Sequence, residues 1–310
     1  MFLWQLCVVG VLPKPLTQAD IDVVHTLSGQ FDFASIGALP ASQLLLSAFT
    51  RYEAIIFGGH KGSADLDVAG DIVGCDVNVS SSIEIKDART DESYNLYVAA
   101  PRITISAPTV FGAMYALETL SQLVKAPRSI AGTQIQDRPR FAYRGTMIDT
   151  ARHFYSLTTL KMHIDAMAYA KLNVLHWHIV DGIAFPYQSI VLPQMSEDGA
   201  YTSRHVYSIA DIHELVGYAM SRGVRVIPEF DLPGHVSRGW QSLGVLTQCF
   251  DTTTGRKTNF GALNPTINAT YDVLRKLMAE VRSSFAPEQY VHVGGDEVPK
   301  ECWQVRVHPK

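Results

Sequence analysis

The sequence predicts an α/β protein built in two successive parts. Two observations carry this reading. Period-two alternation with one amphipathic helix fills residues 13–136, and strand and helix patterns then take turns from 137 to 310. Of the 310 residues, 47% are hydrophobic and 18% charged. That is ample for a core and excludes a disordered chain. The length accommodates two domains, or one large domain with an appendage.

The first part reads as an α+β accessory domain without evident chemistry. Asp76–Ser80, Ile83–Ile85 and Tyr94–Val98 alternate as strands do, and Ile103–Ser106 adds another. Val110, Met114, Leu117, Leu120 and Leu123 recur at helical spacing within 109–124. Residues 1–12 are apolar, like a short signal or leader segment, but lack a basic flank and a small-residue cleavage site; a buried first strand reads the same way.

Asp137-Arg138-Pro139-Arg140 reads as the joint. After it, Tyr143–Ile148, Asn173–Val180, Val224–Phe230 and Tyr290–Val293 are predicted strands. Ser156 caps a helix with Leu160, Ile164, Met167 and Ala168 on one face. Ser208 and Asp211 form a capping box for a helix that Gly223 ends at C′. Asn264-Pro265 is predicted to open a third helix with Pro at its first position. Four β-α repeats imply parallel strands with right-handed crossovers, either in a TIM barrel or in an open doubly wound sheet.

Net charge is −4, from 26 basic and 30 acidic residues without a like-charge block, so no footprint for nucleic acid is present. No apolar run approaches the ~20 residues of a membrane span. No G-x-G-x-x-G or Walker pattern follows a strand, which disfavours dinucleotide and P-loop chemistry. The cysteines Cys7, Cys75, Cys249 and Cys302 include no C-x-x-C pair. Asn78-Val79-Ser80 and Asn268-Ala269-Thr270 are glycosylation triplets, weak signals on their own.

Ionisable residues collect where the strands end: Asp149 and Arg152; His176, His178 and Asp181; Glu229, Asp231 and His235; Asp296 and Glu297. In a β/α barrel that face carries the chemistry. The adjacent carboxylates Asp296 and Glu297 are expected to raise at least one pKa, as a general acid requires; a solvated helix start would hold acids there too. His176 and His178 share a strand face, and with Asp231 they offer an alternative reading as a metal-dependent barrel hydrolase. Trp177 and Trp240 read either as sugar-stacking surfaces or as core.

Four ordered motifs, Arg144-Gly-Thr-Met-Ile-Asp149-Thr-Ala-Arg152-His-Phe, Asn173-Val-Leu-His-Trp-His-Ile-Val-Asp181, Pro228-Glu-Phe-Asp-Leu-Pro-Gly-His235 and His292-Val-Gly-Gly-Asp-Glu297, resemble the β-N-acetylhexosaminidases of glycoside hydrolase family 20. The motifs look like those of the eukaryotic lysosomal hexosaminidase subunits. The resemblance implies an N-terminal α+β hexosaminidase-like domain at 13–136, followed at 137–310 by strands one to four of a TIM (β/α)8 barrel. It implies retaining hydrolysis of terminal, non-reducing β-linked N-acetylglucosamine or N-acetylgalactosamine, assisted by the substrate's own acetamido group.

By the same likeness Glu297 is the acid and then the base, Asp296 orients the acetamido group, Arg152 holds sugar hydroxyls, and Asp181 and His235 support Glu297. No cofactor and no metal are implied. The expected partners are N-acetylhexosamine-terminated glycans or chito-oligosaccharides, with a homodimer in a full-length parent. Cys249 and Cys302 resemble a family disulfide, Asn268 a family glycosylation position, and both suit a lysosomal or secreted protein. Cys75 has no matching partner. The family's usual Asp-Asp is Asp181-Gly182 here. Relatives continue through strands five to eight, so the chain alone is expected to be incomplete and inactive. A non-catalytic glycan-binding derivative is the remaining alternative.

Overall fold

A computed structural model describes residues 10–37, 42–59, 67–250, 254 and 256–303, without the side chains of 258–260. The apolar leader expected at 1–12 lies largely outside the described residues, as does Cys7. The described chain forms two compact units. One comprises residues up to Arg144 together with Ala166–Leu172 and Ser221–Gly223; the other comprises Gly145–Asp165, Asn173–Met220 and the residues from Val224 onward.

In the first unit five strands close into a ring: β1 (Thr17–Ser35), β2 (Ile72–Val79), β3 (Tyr94–Val98), β4 (Arg102–Ala107) and β5 (Ser129–Asp137), in the order β1-β2-β4-β3-β5. β1 runs parallel to β2 and antiparallel to β5, so both of its sides are paired. Helices α1 (Gln43–Phe57) and α2 (Val110–Leu123) supply Leu45, Phe49, Phe111 and Leu117 to a core shared with Leu27, Phe31, Ile72 and Leu96. Each helix begins on a side-chain cap, Ser42 accepting from the Leu45 N–H and Thr109 from that of Gly112. Cys75 is a free, buried thiol, and burial pushes its pKa up.

One expectation fails here, and three elements go beyond the prediction. Ile83–Ile85 is no strand, because both isoleucines are exposed and no strand among the described residues takes up their backbone. β1, α1 and β5 are elements beyond those predicted; Asp137, the first residue of the joint expected at 137–140, is the last of β5.

The second unit is organised by three parallel strands, β6 (Gly145–Asp149), β7 (Val174–Val180) and β8 (Arg225–Phe230). β7 is central and buried almost throughout, which explains its near-continuous apolar run. The crossover helices are α3 (Leu157–Tyr169) and α5 (Ile209–Met220), with the short α4 (Gln194–Gly199) between them. The capping box forms: the Ser208 N–H donates to Asp211 Oδ2 at 2.8 Å, and the Asp211 N–H to Ser208 Oγ at 3.1 Å. Gly223 takes φ 71°, and the Val224 N–H returns to the Ala219 carbonyl at 2.9 Å, as a Schellman ending requires.

Two boundaries move. α6 spans Asn268–Ser284 and does not start at Pro265, because the Asn264 side chain accepts the Thr266 N–H in an Asx turn that holds the chain out of the helix. The fourth predicted strand is reduced to one parallel bridge between Glu229 and His292, with the His292 N–H donating to the Pro228 carbonyl. Beyond it Gly294 and Gly295 take positive φ and turn the chain away. The hairpin of β9 (Leu246–Phe250) and β10 (Lys257–Leu263) was not predicted. A Cys249–Cys302 disulfide ties it to the turn at Lys300–Trp303. Gly261 sits against that bond; a Cβ there would lie 2.5 Å from Cys249 Sγ.

Candidate active site

Parallel pairing sets the site's geometry. Asp149 lies opposite His178, and His178 opposite Glu229, so the C-terminal ends of β6, β7 and β8 present their polar residues in one row. Asp149 accepts the N–H groups of Ala151 and Arg152, both at 2.9 Å, which fixes the turn that brings the Arg152 guanidinium back over the strand ends. Arg152 donates Nη1 to Asp149 at 2.6 Å and Nη2 to Asp181 at 2.8 Å. Asp181 Oδ2 also meets His178 Nε2 at 3.0 Å, and its Oδ1 lies 3.4 Å from His235 Nδ1.

The Asp181 side chain is only 2% exposed. Burial alone would raise its pKa, but the His178 hydrogen bond and the charges of Arg152 and His235 outweigh burial and hold the carboxyl below its usual range. Burial likewise opposes charge on His178, yet hydrogen bonds to Asp181 and Glu229 raise that imidazole to about 9. The row thus alternates in sign from Arg152 through Asp181 and His178 to Glu229.

His235 turns on a left-handed backbone, φ 48°, just after Gly234. Its Nε2 is buried without a hydrogen bond and faces three carboxylates, Glu297 at 3.4 Å, Asp296 at 3.7 Å and Asp231 at 3.8 Å. Glu297 is also left-handed, φ 46°, a conformation that costs a non-glycine residue energy and that clusters at working sites. The side chains of Asp296 and Glu297 are 68% and 79% exposed, whereas Asp231 is buried. The Asp231 carboxyl is raised, chiefly by burial and further by Asp296, against the Gly295 N–H that it accepts at 3.1 Å. The carboxylate pair expected from the sequence, Asp296 and Glu297, has a further neighbour in Asp231, which interacts with Asp296.

An open pocket of about 370 Å³ is lined by Arg152, Asp181, Gly182, His235 and Glu297, together with Ser237. At Gly182, where the family's usual motif carries a second Asp, a Cβ would be 3.4 Å from the His235 backbone. Four predicted residues thus meet at one cavity, with Asp296 beside it. The trio His176, His178 and Asp231 does not come together as a metal set. His178 is committed to Asp181 and Glu229, while His176 turns toward Glu229 and His292. Trp177 and Trp240 are buried core residues, Trp177 donating Nε1–H to Thr150. The central position of Glu229 was not anticipated, although its place opposite His178 follows from strand register. Asn78 and Asn268 are both exposed.

Residues 141–308 match the glycosyl hydrolase family 20 catalytic domain, and residues 12–123 match a domain described as beta-acetyl hexosaminidase like. The beta-hexosaminidase subunit beta of Sus scrofa is 42% identical over 271 residues, covering 84% of this chain and 50% of its own length. The Homo sapiens subunit beta is 41% identical, with 86% and 49% covered. Among solved structures, a Flavobacterium johnsoniae chitobiase superposes with a TM-score of 0.77 at 29% identity, covering 94% of this chain and 45% of that one. A Vibrio harveyi exo beta-N-acetylglucosaminidase in complex with N-acetylglucosamine gives 0.73, also at 29% identity, covering 94% and 47%.

Fold and matches together define an α/β chain in which an accessory domain precedes a region of the TIM-barrel catalytic domain type. The chain belongs to glycosyl hydrolase family 20. It spans about half the length of the curated relatives it matches.

Proposed function

We propose that this protein hydrolyses terminal, non-reducing β-linked N-acetylglucosamine or N-acetylgalactosamine with retention, by substrate-assisted catalysis. The observation that carries the reading is His235: its buried, unbonded Nε2 faces Glu297 at 3.4 Å while its Nδ1 faces Asp181. In the first step the acetamido oxygen of the substrate attacks C1, the glycosidic C–O bond breaks, and Glu297 delivers its proton to the leaving oxygen. Asp296 holds the acetamido N–H and balances the positive charge that develops on the oxazolinium ring. In the second step water attacks C1, its proton passes to the Glu297 carboxylate, and the ring opens to free sugar.

Arg152, anchored by Asp149 and Asp181 and half-exposed at the pocket, offers its remaining N–H groups to sugar hydroxyls. Asp181 acts on Glu297 only through the His235 ring. In this reading the accessory domain ends at 136 and the catalytic barrel region begins at 137, as strands one to four of the barrel. The matched spans 12–123 and 141–308 support that division.

The substrates are N-acetylhexosamine-terminated glycans or chito-oligosaccharides, and a full-length form forms a homodimer. The Cys249–Cys302 disulfide supports an oxidising, lysosomal or secreted location, in which exposed Asn78 and Asn268 are glycan acceptors. Among the described residues no helix is long and apolar enough to cross a membrane.

The test is hydrolysis of an aryl β-N-acetylglucosaminide, by this chain and by a form extended to the length of its relatives. Glu297→Gln should lower the rate by about 10²–10⁴-fold. An undiminished rate in that variant refutes the assignment of the acid.

A further inference from the structure

The pair His176 and His178 is divided by the proposed chemistry: His178 belongs to the row behind the pocket, and His176 has no part in it. His176 instead joins a second cluster on the same sheet, built around Glu229. The carboxylate of Glu229 meets three imidazoles: His176 Nε2 at 2.5 Å and His178 Nδ1 at 3.0 Å, both on Oε2, and His292 Nδ1 at 3.1 Å on Oε1. The rings of His176 and His292 stand 4.7 Å apart, inclined at 39°. One ligand atom each from His176, Glu229 and His292 lies within 4.8 Å of the other two.

Strand register makes this arrangement rather than side-chain accident. His178 and Glu229 are cross-strand neighbours, Glu229 and His292 are bridged in the same sense, and His176 is two residues before His178 on the same face. Glu229 is 7% exposed and held from behind by His178, whereas His292 is 52% exposed and opens the cluster to solvent.

At His292 the Nδ1 accepts the Gly294 N–H at 3.1 Å and lies 3.1 Å from the Glu229 carboxylate. Either a proton on Nδ1, donated to Glu229, or a cation between nitrogen and carboxylate satisfies that pair, and in both cases the Gly294 N–H turns to solvent.

We propose that His176, Glu229 and His292 form a binding site for a divalent first-row transition cation. Two imidazoles and one carboxylate suit zinc and its neighbours rather than calcium or magnesium, which take oxygen ligands. His178 is the outer partner that orients the ligating carboxylate, an arrangement that strengthens metal sites. Water completes the coordination on the exposed His292 side. None of His176, Glu229 and His292 lines the pocket of Arg152, His235 and Glu297.

Zinc uptake by the untagged 310-residue chain, measured by equilibrium dialysis at micromolar zinc, tests the site. One zinc per chain is expected. His176→Ala and His292→Ala should each weaken it by about tenfold or more, while His235→Ala should leave it unchanged. Cobalt gives a readout that needs no variant: a visible ligand-field absorption that added zinc abolishes. Absence of stoichiometric zinc, absence of the cobalt band, uptake that survives both histidine variants, or uptake lost in His235→Ala would each overturn the proposal.

Discussion

Replacing Gly294 by alanine should unfasten the buried carboxylate at the centre of the site. The backbone at Gly294 has φ 64°, and an added Cβ would lie 1.7 Å from Asp231 Oδ1, where real Cβ atoms do not approach within 3.0 Å. The left-handed conformation alone costs alanine about 1–2 kcal/mol. Asp231 is buried and has little room to give the required 1.3 Å (3.0 less 1.7), so its bond from the Gly295 N–H breaks. Loss of that partner adds about 1–3 kcal/mol. The expected destabilisation is therefore about 2–5 kcal/mol, read as a lower urea midpoint with unchanged m. A double-mutant cycle separates the two causes, since in an Asp231→Ala background only the backbone term should remain. A Gly294→Ala chain as stable as the parent, or strictly additive effects of the two substitutions, would refute the reasoning.

Two further outcomes concern stability. Replacing both Cys249 and Cys302 by serine should cost about 4 kcal/mol, the chain-entropy value for cysteines 53 residues apart; an unshifted urea midpoint would contradict it. Burial lowers Lys171 to about 8 against the pull of Asp137, although Thr119 and Tyr94 accept its hydrogen bonds. The unfolded chain then binds the extra proton between about pH 8 and 10.5, so this residue's contribution to stability rises with pH across that window, by about 3 kcal/mol in all. Comparing urea midpoints of the parent and Lys171→Met from pH 7 to 10.5 checks it, and parallel curves would count against it.

Much of the second unit is legible in the sequence because local signals and tertiary demands agree there. The Ser208–Asp211 box and the apolar run of β7 each specify their own geometry. The polar residues at the strand ends could be listed but not arranged, since which imidazole meets which carboxylate depends on register between strands far apart in sequence. Glu229 shows this: its neighbours His178 and His292 lie 51 residues before it and 63 after. The left-handed turns at His235 and Glu297 leave no mark on residue type. In the first unit, β1 escapes a periodicity reading because its outer half is exposed on both faces, and only from His25 onward do buried positions recur. Ile83 and Ile85 show the converse, with alternation but no partner strand.

Closure of the strand ring has a consequence for synthesis on the ribosome. Thr17 pairs with Gln136 and Val24 with Ala131, so the first strand waits for more than a hundred further residues before its second edge is covered. At ordinary elongation rates that is roughly 5–25 s during which Leu27 and Phe31 have no complete core to enter. Nascent chains arrested before Ser129 should be cleaved by protease within β1, and chains arrested well beyond Asp137 should be protected. Equal cleavage of the two would show that the strand finds its shelter earlier. The accessory domain is thus vectorially late: its first residues to emerge are among its last to settle, which makes this stretch the natural client for a chaperone at the exit tunnel.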